Sequence, residues 1–138
     1  MPSKRRLARI AAMQTVFEVQ ARDVNPTPSL ERNIGDFGGK EHVDCAFSKS
    51  LIAGVRKHWD EIQKTIEEHA PQWPWQRMDA MTRSILLIGG YEIFFAKDAP
   101  PAVVMNEAIE IAKEYGTEES AKFVNGVLNA LAHVTQKK

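Results

Sequence analysis

The chain opens with a cluster of basic side chains: Lys4, Arg5, Arg6 and Arg9. Ser3 can cap a helix that begins beside them, and no acidic residue follows until Glu18. Cations in a first helical turn face the positive end of the helix dipole and cost about 0.3 kcal/mol or more each, so helix formation does not explain them. A phosphate group would satisfy both these charges and the free N–H groups of the helix. The cluster therefore predicts an anion site, and a solvated helix terminus is the alternative.

Residues that could ligate a metal or act as nucleophiles are dispersed along the chain. They are the histidines and the single cysteine: His42, Cys45, His58, His69 and His133. Zinc needs about four converging ligands, so His42 and Cys45 make only half of a site. The sequence predicts no strand, so it lacks the strand and glycine-rich loop with which many enzymes bind phosphates. Cys45 has no evident base beside it that would activate its thiol. We therefore expect no catalytic residue, no metal, no cofactor and no enzymatic activity.

Length and composition indicate one globular domain spanning residues 1–138. A chain of this size, 43% hydrophobic, can bury one core of its own. Lys and Arg number 18, as do Asp and Glu, so any phosphate contact must come from a local basic patch. The single cysteine suits a reducing compartment, the basic start is not followed by a signal-peptide core, and residues 85–90 form too short an apolar run to cross a membrane. We expect a cytoplasmic protein.

Apolar spacing predicts helices throughout, because no segment alternates with period two. Trp73 and Trp75, near two prolines, are expected to cap the edge of the core. Residues 23–40 are expected to form a loop or a short helix around residues 30–34. The other predicted helices cover residues 3–21, 47–66, 77–95, 101–115 and 117 onward. The fold class is therefore all-α, a compact bundle of about six or seven helices.

Glycine positions refine this prediction. Gly54 and His58 lie inside an apolar stripe, which predicts two helices that meet at a kink. Gly89-Gly90 costs about 1 kcal/mol per glycine in a helix, which close approach of a neighbouring helix would compensate. Gly116 is expected to be a left-handed helix cap, and Gly126 is expected to permit close packing.

The segment from Val103 to Leu131 carries the most specific sequence motif. It reads VVMNEAIEIAKEYGTEESAKFVNGVLNAL and closely resembles the signature of the NusB family. The motifs that fit best are Asn106-Glu107-Ala108, Ala112-Lys113, Gly116 and Lys122 to Leu128. Residues 5–14, 51–55 and 85–92 are also similar to this family's helices. The resemblance covers most of the chain except residues 22–40.

This resemblance implies a NusB-like fold of two small helical sub-bundles and a role in transcription antitermination. Members of the family bind the single-stranded boxA element of ribosomal RNA leader transcripts. They do so as a heterodimer with NusE, which is also a protein of the small ribosomal subunit. The complex keeps RNA polymerase elongating through terminators. The implied partners are therefore boxA-type RNA, NusE and the RNA polymerase antitermination complex.

Carried over residue by residue, the resemblance implies two RNA-contacting groups. The first comprises Lys4, Arg5, Arg6 and Arg9 at the start of the first helix. The second lies around the junction of the last two helices and comprises Lys113, Tyr115, Glu119 and Lys122. Tyr115 could stack on an unpaired base, although its position on the apolar stripe favours ordinary burial.

A NusE-binding face is implied at Phe17, Thr82 and Arg83. The family often carries tyrosine at the position of Phe17, an acid at that of Thr82 and arginine at that of Leu87. Loss of the carboxylate and of the phenol hydroxyl removes polar pairing with NusE, unless the partner has changed in step. Two alternatives therefore stay open: a protein-interaction module, as a homodimer that buries the surface around Phe17, and a structural assembly factor for ribosomal particles.

Overall fold

Six α-helices and no strand make up the part of the chain that the computed structural model describes, residues 2–22 and 24–136. Asp23, with which the predicted loop begins, lies outside the described residues, as do the chain ends. The helices are α1 (Lys4–Ala21), α2 (Pro26–Asp36), α3 (Cys45–His69), α4 (Ala80–Tyr91), α5 (Pro101–Tyr115) and α6 (Glu118–Gln136). The predicted all-α class and helix number are confirmed. Within the same residues, no helix is long and apolar enough to cross a membrane.

Side-chain caps start the helices where the sequence predicts them. Ser3 Oγ accepts a hydrogen bond from the Arg6 N–H at 3.0 Å, and Thr117 Oγ1 accepts one from the Ser120 N–H at 3.0 Å. The segment predicted to be a loop or a short helix around residues 30–34 contains the longer helix α2, of 11 residues. Its start is fixed by Asn25, whose side chain accepts from the Thr27 N–H at 3.0 Å, and by a proline at the first helical turn.

Two irregular helical turns shape the middle of the bundle. His58 has non-helical torsions, φ −112° and ψ 15°, so α3 bends there as predicted. The helix predicted over residues 77–95 is shorter, because Asp79 caps α4 and the segment Glu92–Ala96 forms a π-helical turn. The π turn ends at Lys97, which has φ 54°.

One continuous apolar core joins all six helices, and α1 and α4 lie in its middle. The close approach predicted at the paired glycines is present. A Cβ on Gly89 would lie 3.0 Å from Leu128 Cδ1, and a Cβ on Gly90 would lie 2.8 Å from Ile62 Cγ2. Both neighbours belong to the core, so glycine lets α3 and α6 pack against α4.

Three local predictions need correction. Gly116 ends α5, but its φ of −128° and ψ of −134° are not those of a left-handed cap; its N–H donates to the Ala112 carbonyl at 2.8 Å. Gly126 has no atom within 4 Å of an added Cβ and is exposed, so it does not serve close packing. Trp75 is buried at the core edge as predicted, whereas Trp73 is 53% exposed.

Gly54 and Gly126 allow a matched test of these packing differences. A Cβ on Gly54 would overlap the half-buried ring of Tyr91, whereas one on Gly126 would meet open space. We expect Gly54→Ala to lower the free energy of unfolding by about 1–3 kcal/mol through overpacking. Gly126→Ala should raise it by about 1 kcal/mol through helix propensity. Urea unfolding followed by circular dichroism measures both, and shifts in the same direction would contradict this packing.

Candidate nucleic-acid interface

Arg9 is 4% exposed and forms the centre of a buried ion-pair network. Its guanidinium meets Glu92 in a two-pronged arrangement: Nε donates to Oε2 at 2.9 Å and Nη2 donates to Oε1 at 2.8 Å. Nη1 also donates to Glu107 Oε1 at 3.4 Å. The guanidinium carbon lies 5.0 Å from the centre of the Phe47 ring. The network therefore joins α1 to the π turn and to α5, with an α3 ring packed against it.

Arg6 extends this network towards solvent. Its Nε donates to Glu107 Oε2 at 2.6 Å, and its terminal nitrogen contacts the same oxygen. Glu107 thus serves two arginines, one turn apart on α1. Part of the Arg6 side chain remains accessible, because its relative exposure is 31%.

The expected phosphate contact of Arg9 needs correction for this reason. Carboxylates from Glu92 and Glu107 already occupy its donors, and burial shields it from a strand in solvent. Sequence reasoning missed both partners. The sequence does contain one indication of this pairing. Glu92 lies within a nearly all-apolar segment, and a buried carboxylate there requires a basic side chain beside it.

Lys4 and Arg5 remain at the surface. The Arg5 guanidinium carbon lies 4.2 Å from the centre of the Phe47 ring, and its Nε is 3.7 Å from Asp44 Oδ2. Lys4 is exposed, and its ammonium has no side-chain partner among the described residues. Its carbonyl accepts from the Asp44 N–H at 3.1 Å, which ties the start of α1 to that of α3. We call Lys4, Arg5 and the accessible part of Arg6 the cationic edge.

The second predicted group lies further along α5 and on α6. Glu107, in the middle of α5, contacts Arg6 near the start of α1, and Tyr115, at the end of α5, lines the same groove as Phe17. The eight residues from Glu107 to Tyr115 span about 12 Å of helix. Lys113, Glu119 and Lys122 are exposed, and Lys113 Nζ lies 3.8 Å from Glu110 Oε1. The structure therefore separates the predicted RNA residues into two groups.

Tyr115 lines an open groove of about 520 Å³. The principal apolar residues of this groove, which we call the Phe17 groove, are Met13, Phe17, Met81 and Tyr115. Tyr115 is half-buried, and this burial raises the pKa of its phenol, with Glu114 adding to the increase. The phenol therefore keeps its proton at neutral pH and can donate a hydrogen bond.

Charged residues on α1 and α2 form one rim of the Phe17 groove. Glu18 contacts the Arg32 guanidinium and accepts from Asn33 Nδ2 at 3.3 Å. Burial raises the pKa of the Glu18 carboxyl, but hydrogen bonds from Arg32, Ser29 and Asn33 more than offset this and lower the pKa overall. Glu18 is therefore held as a carboxylate beside the apolar surface.

The three predicted partner residues have different environments. Phe17 is 43% exposed in the Phe17 groove. Arg83 is half-buried, and its Nε donates to the Trp75 carbonyl at 2.8 Å. Thr82 is 5% exposed, and its N–H and hydroxyl donate to the Asp79 carboxylate at 2.7 and 3.1 Å. The expectation that Thr82 meets a partner therefore needs correction, since its polar groups are used in capping α4.

No three His, Cys, Asp or Glu side chains in the described ranges are placed to hold a metal ion. The surface offers instead a cationic edge and an open groove of apolar and aromatic side chains. Together with the helical bundle, these features are typical of proteins that bind nucleic acids and other proteins. Residues 6–133 match the model of the NusB family, and the chain belongs to this family.

Individual relatives agree with this assignment. The transcription antitermination protein NusB of Bacillus licheniformis is 39% identical over 126 residues, which cover 91% of this chain and 94% of that protein. NusB of T. maritima has a similar structure, with a TM-score of 0.84, 34% identity and coverage of 96% and 93%. One chain in the crystal structure of antitermination factors NusB and NusE with double-stranded RNA is also similar, with a TM-score of 0.84 and 27% identity. The match covers 94% of this chain and 96% of that one.

The buried network predicts that a single substitution lowers the free energy of unfolding more than a paired substitution does. Glu92→Gln would remove the two-pronged partner of Arg9 and leave only the 3.4 Å contact with Glu107, so it should lower the free energy of unfolding by about 3 kcal/mol, the low end of the range for breaking a buried ion pair. Combining Arg9→Met with Glu92→Met removes both charges and leaves Arg6 paired with Glu107, so we expect recovery of most of that loss. Urea unfolding measures each value. A double variant no more stable than Glu92→Gln would contradict the pairing.

Proposed function

We propose that this protein is an RNA-binding transcription antitermination factor that binds boxA-type single-stranded leader RNA together with a NusE-type ribosomal protein. Its membership of the NusB family and its likeness to a NusB–NusE–RNA complex support this role. The observation that carries it in this chain is the exposure of Lys4 and Arg5 at the start of α1. Arginine and lysine at a helix start suit the phosphates of a strand.

The geometry of α1 supports phosphate binding at the cationic edge. The first intrahelical acceptor, the Ser3 carbonyl, is used by the Leu7 N–H at 3.1 Å, so the N–H groups of Lys4 and Arg5 have no intrahelical acceptor. These donors and the two side chains together attract an anion. In this proposal Arg9 acts indirectly, because its buried ion pairs hold α1 against α5.

The RNA strand would continue from the cationic edge towards the start of α6. Lys113 and Lys122 would contact phosphates there, and Tyr115 would stack on a base or donate a hydrogen bond from its phenol. Glu119 is exposed at the same helix start and would face the strand, where a carboxylate can accept from a base amino group.

The Phe17 groove would receive the NusE-type partner. An exposed phenylalanine in an apolar groove with a charged rim is typical of a binding hot spot. Arg83 would contribute a cation from α4, two residues after Met81 of the groove, and Thr82 would act only by fixing the start of α4. This complex would join the RNA polymerase antitermination assembly. In this role residues 1–138 would form one domain, and the protein would act in the cytoplasm without enzymatic activity.

The cationic edge can be tested by its salt dependence. Lys4→Ala with Arg5→Ala should weaken binding of boxA RNA in the presence of NusE. The slope of log affinity against log salt should become shallower by about 1.4, since each lost phosphate contact contributes about 0.7. Fluorescence anisotropy with labelled RNA over a salt series measures both.

The matched control is Lys57→Ala with Lys64→Ala, which removes the same charge from exposed positions on α3. We expect this control to bind RNA with the wild-type slope. Equal losses in the two double variants would show a general charge effect and would contradict a phosphate site at the cationic edge.

The partner surface can be tested in the same way. Phe17→Ala should weaken NusE binding about tenfold or more, whereas Thr82→Val should change it by less than about threefold. Isothermal titration calorimetry measures both affinities, and light scattering measures the size of the free protein. If Phe17→Ala instead dissociates a homodimer and leaves NusE binding unchanged, the interaction-module alternative is favoured.

A further inference from the structure

A second groove, of about 550 Å³, lies between α6 and the segment that joins α3 to α4. Its walls include Trp73 and Pro71 from the connecting segment, and Lys122, Phe123 and Gly126 from α6. We call it the Trp73 groove. Among these residues only Lys122 belongs to the surface that the sequence assigned to RNA.

Trp73 presents a large aromatic surface to solvent in a fixed position. The indole ring is 53% exposed, and its centre lies 5.6 Å from that of the Phe123 ring at an interplanar angle of 42°. The Trp73 N–H donates to the Ala70 carbonyl at 3.0 Å, and Pro71 and Pro74 restrict the backbone on either side. Phe123 packs against part of Trp73, and the remaining surface of the side chain stays open to solvent.

Gly126 gives independent evidence that this groove is kept open. A glycine inside a helix costs stability relative to alanine, and at Gly89 and Gly90 tight packing explains that cost. At Gly126 no atom lies within 4 Å of an added Cβ, so packing does not explain it. The missing side chain leaves free space in the wall of the groove, opposite the tryptophan segment.

The charge of the Trp73 groove favours a nucleic acid over a basic protein segment. Lys122 is exposed and has no hydrogen-bond or ion-pair partner among the described residues. No carboxylate belongs to the described lining of this groove, whereas Glu18 and Asp36 line the Phe17 groove. A cation beside an open aromatic ring is the combination with which proteins bind unpaired nucleotides.

We propose that the Trp73 groove holds an unpaired nucleobase of the bound RNA, stacked on the open surface of Trp73. Lys122 contacts the adjoining phosphate, and the absent side chain at Gly126 leaves room for the base. This inference rests on the proposed function, and it extends the RNA-contacting surface from Tyr115 across the start of α6. Stacking recognises any base, so the groove adds affinity without requiring a particular base.

The test compares Trp73 variants in binding to boxA RNA with NusE present. Trp73→Ala should weaken binding about 5- to 150-fold, the range given by loss of one stacked base, while Trp73→Phe should retain most of the affinity. The salt slope should stay unchanged, because stacking displaces no counterion. RNA should also quench tryptophan fluorescence in the wild type and do so far less in Trp73→Phe.

Gly126→Leu should weaken RNA binding as Trp73→Ala does, and it should stay folded because the position faces open space. Gln76→Ala, at an exposed position of the same connecting segment that does not line the groove, is the matched control and should bind within about threefold of the wild type. Thermal unfolding of every variant separates lost binding from lost structure.

The outcomes separate this inference from the proposed function. If the wild type binds no RNA with NusE, both fail. If Lys4→Ala with Arg5→Ala weakens binding but Trp73→Ala and Gly126→Leu do not, the inference alone fails. If these two variants weaken capture of NusE and leave binding of RNA to the protein alone unchanged, the groove is a protein-binding site, and the inference is overturned.

Discussion

The buried pairing of Arg9 with Glu92 and Glu107 constrains most of this structure. Two charges removed from water are tolerated only when each satisfies the other, so the helices that carry them must keep their register. Here the pairing fixes α1 against the π turn and against α5. Removing Glu92 would leave the Arg9 guanidinium with only the longer contact to Glu107, so both carboxylates are needed to hold the first turns of α1 in place.

The same network divides similar residues into different roles. Arg5 and Arg9 lie one turn apart and contact the same Phe47 ring, but Arg9 is buried among carboxylates while Arg5 reaches solvent. Arg9 lies on the face of α1 that packs into the core, whereas Lys4 and Arg5 lie exposed at the helix start, so only the latter two can contact a ligand. The anion site is consequently smaller than a count of basic residues indicates.

The two grooves differ in position and in charge. The Phe17 groove reaches Tyr115 at the end of α5, whereas the Trp73 groove is lined by α6 from Lys122 onward. The Phe17 groove combines apolar residues with Glu18, Arg32 and Asp36, as expected for contact with a protein of mixed charge. The Trp73 groove combines open aromatic surface with Lys122, as expected for contact with a strand of phosphates. The two grooves therefore suit different ligands, and Tyr115 is the residue that the Phe17 groove shares with the proposed RNA path.

Local patterns in the sequence were sufficient for the helices, for caps such as Ser3 and Thr117, for the kink at His58 and for the family resemblance, because each depends on residues a few positions apart. Only the tertiary structure determines which basic side chains are accessible to a ligand. Arg9 and Glu92 are 83 positions apart, and Arg6 and Glu107 are 101 apart, so no local periodicity could pair them. The exposure of Trp73 and the open space at Gly126 likewise depend on how α6 packs beside the α3–α4 connection, which is a property of the folded chain.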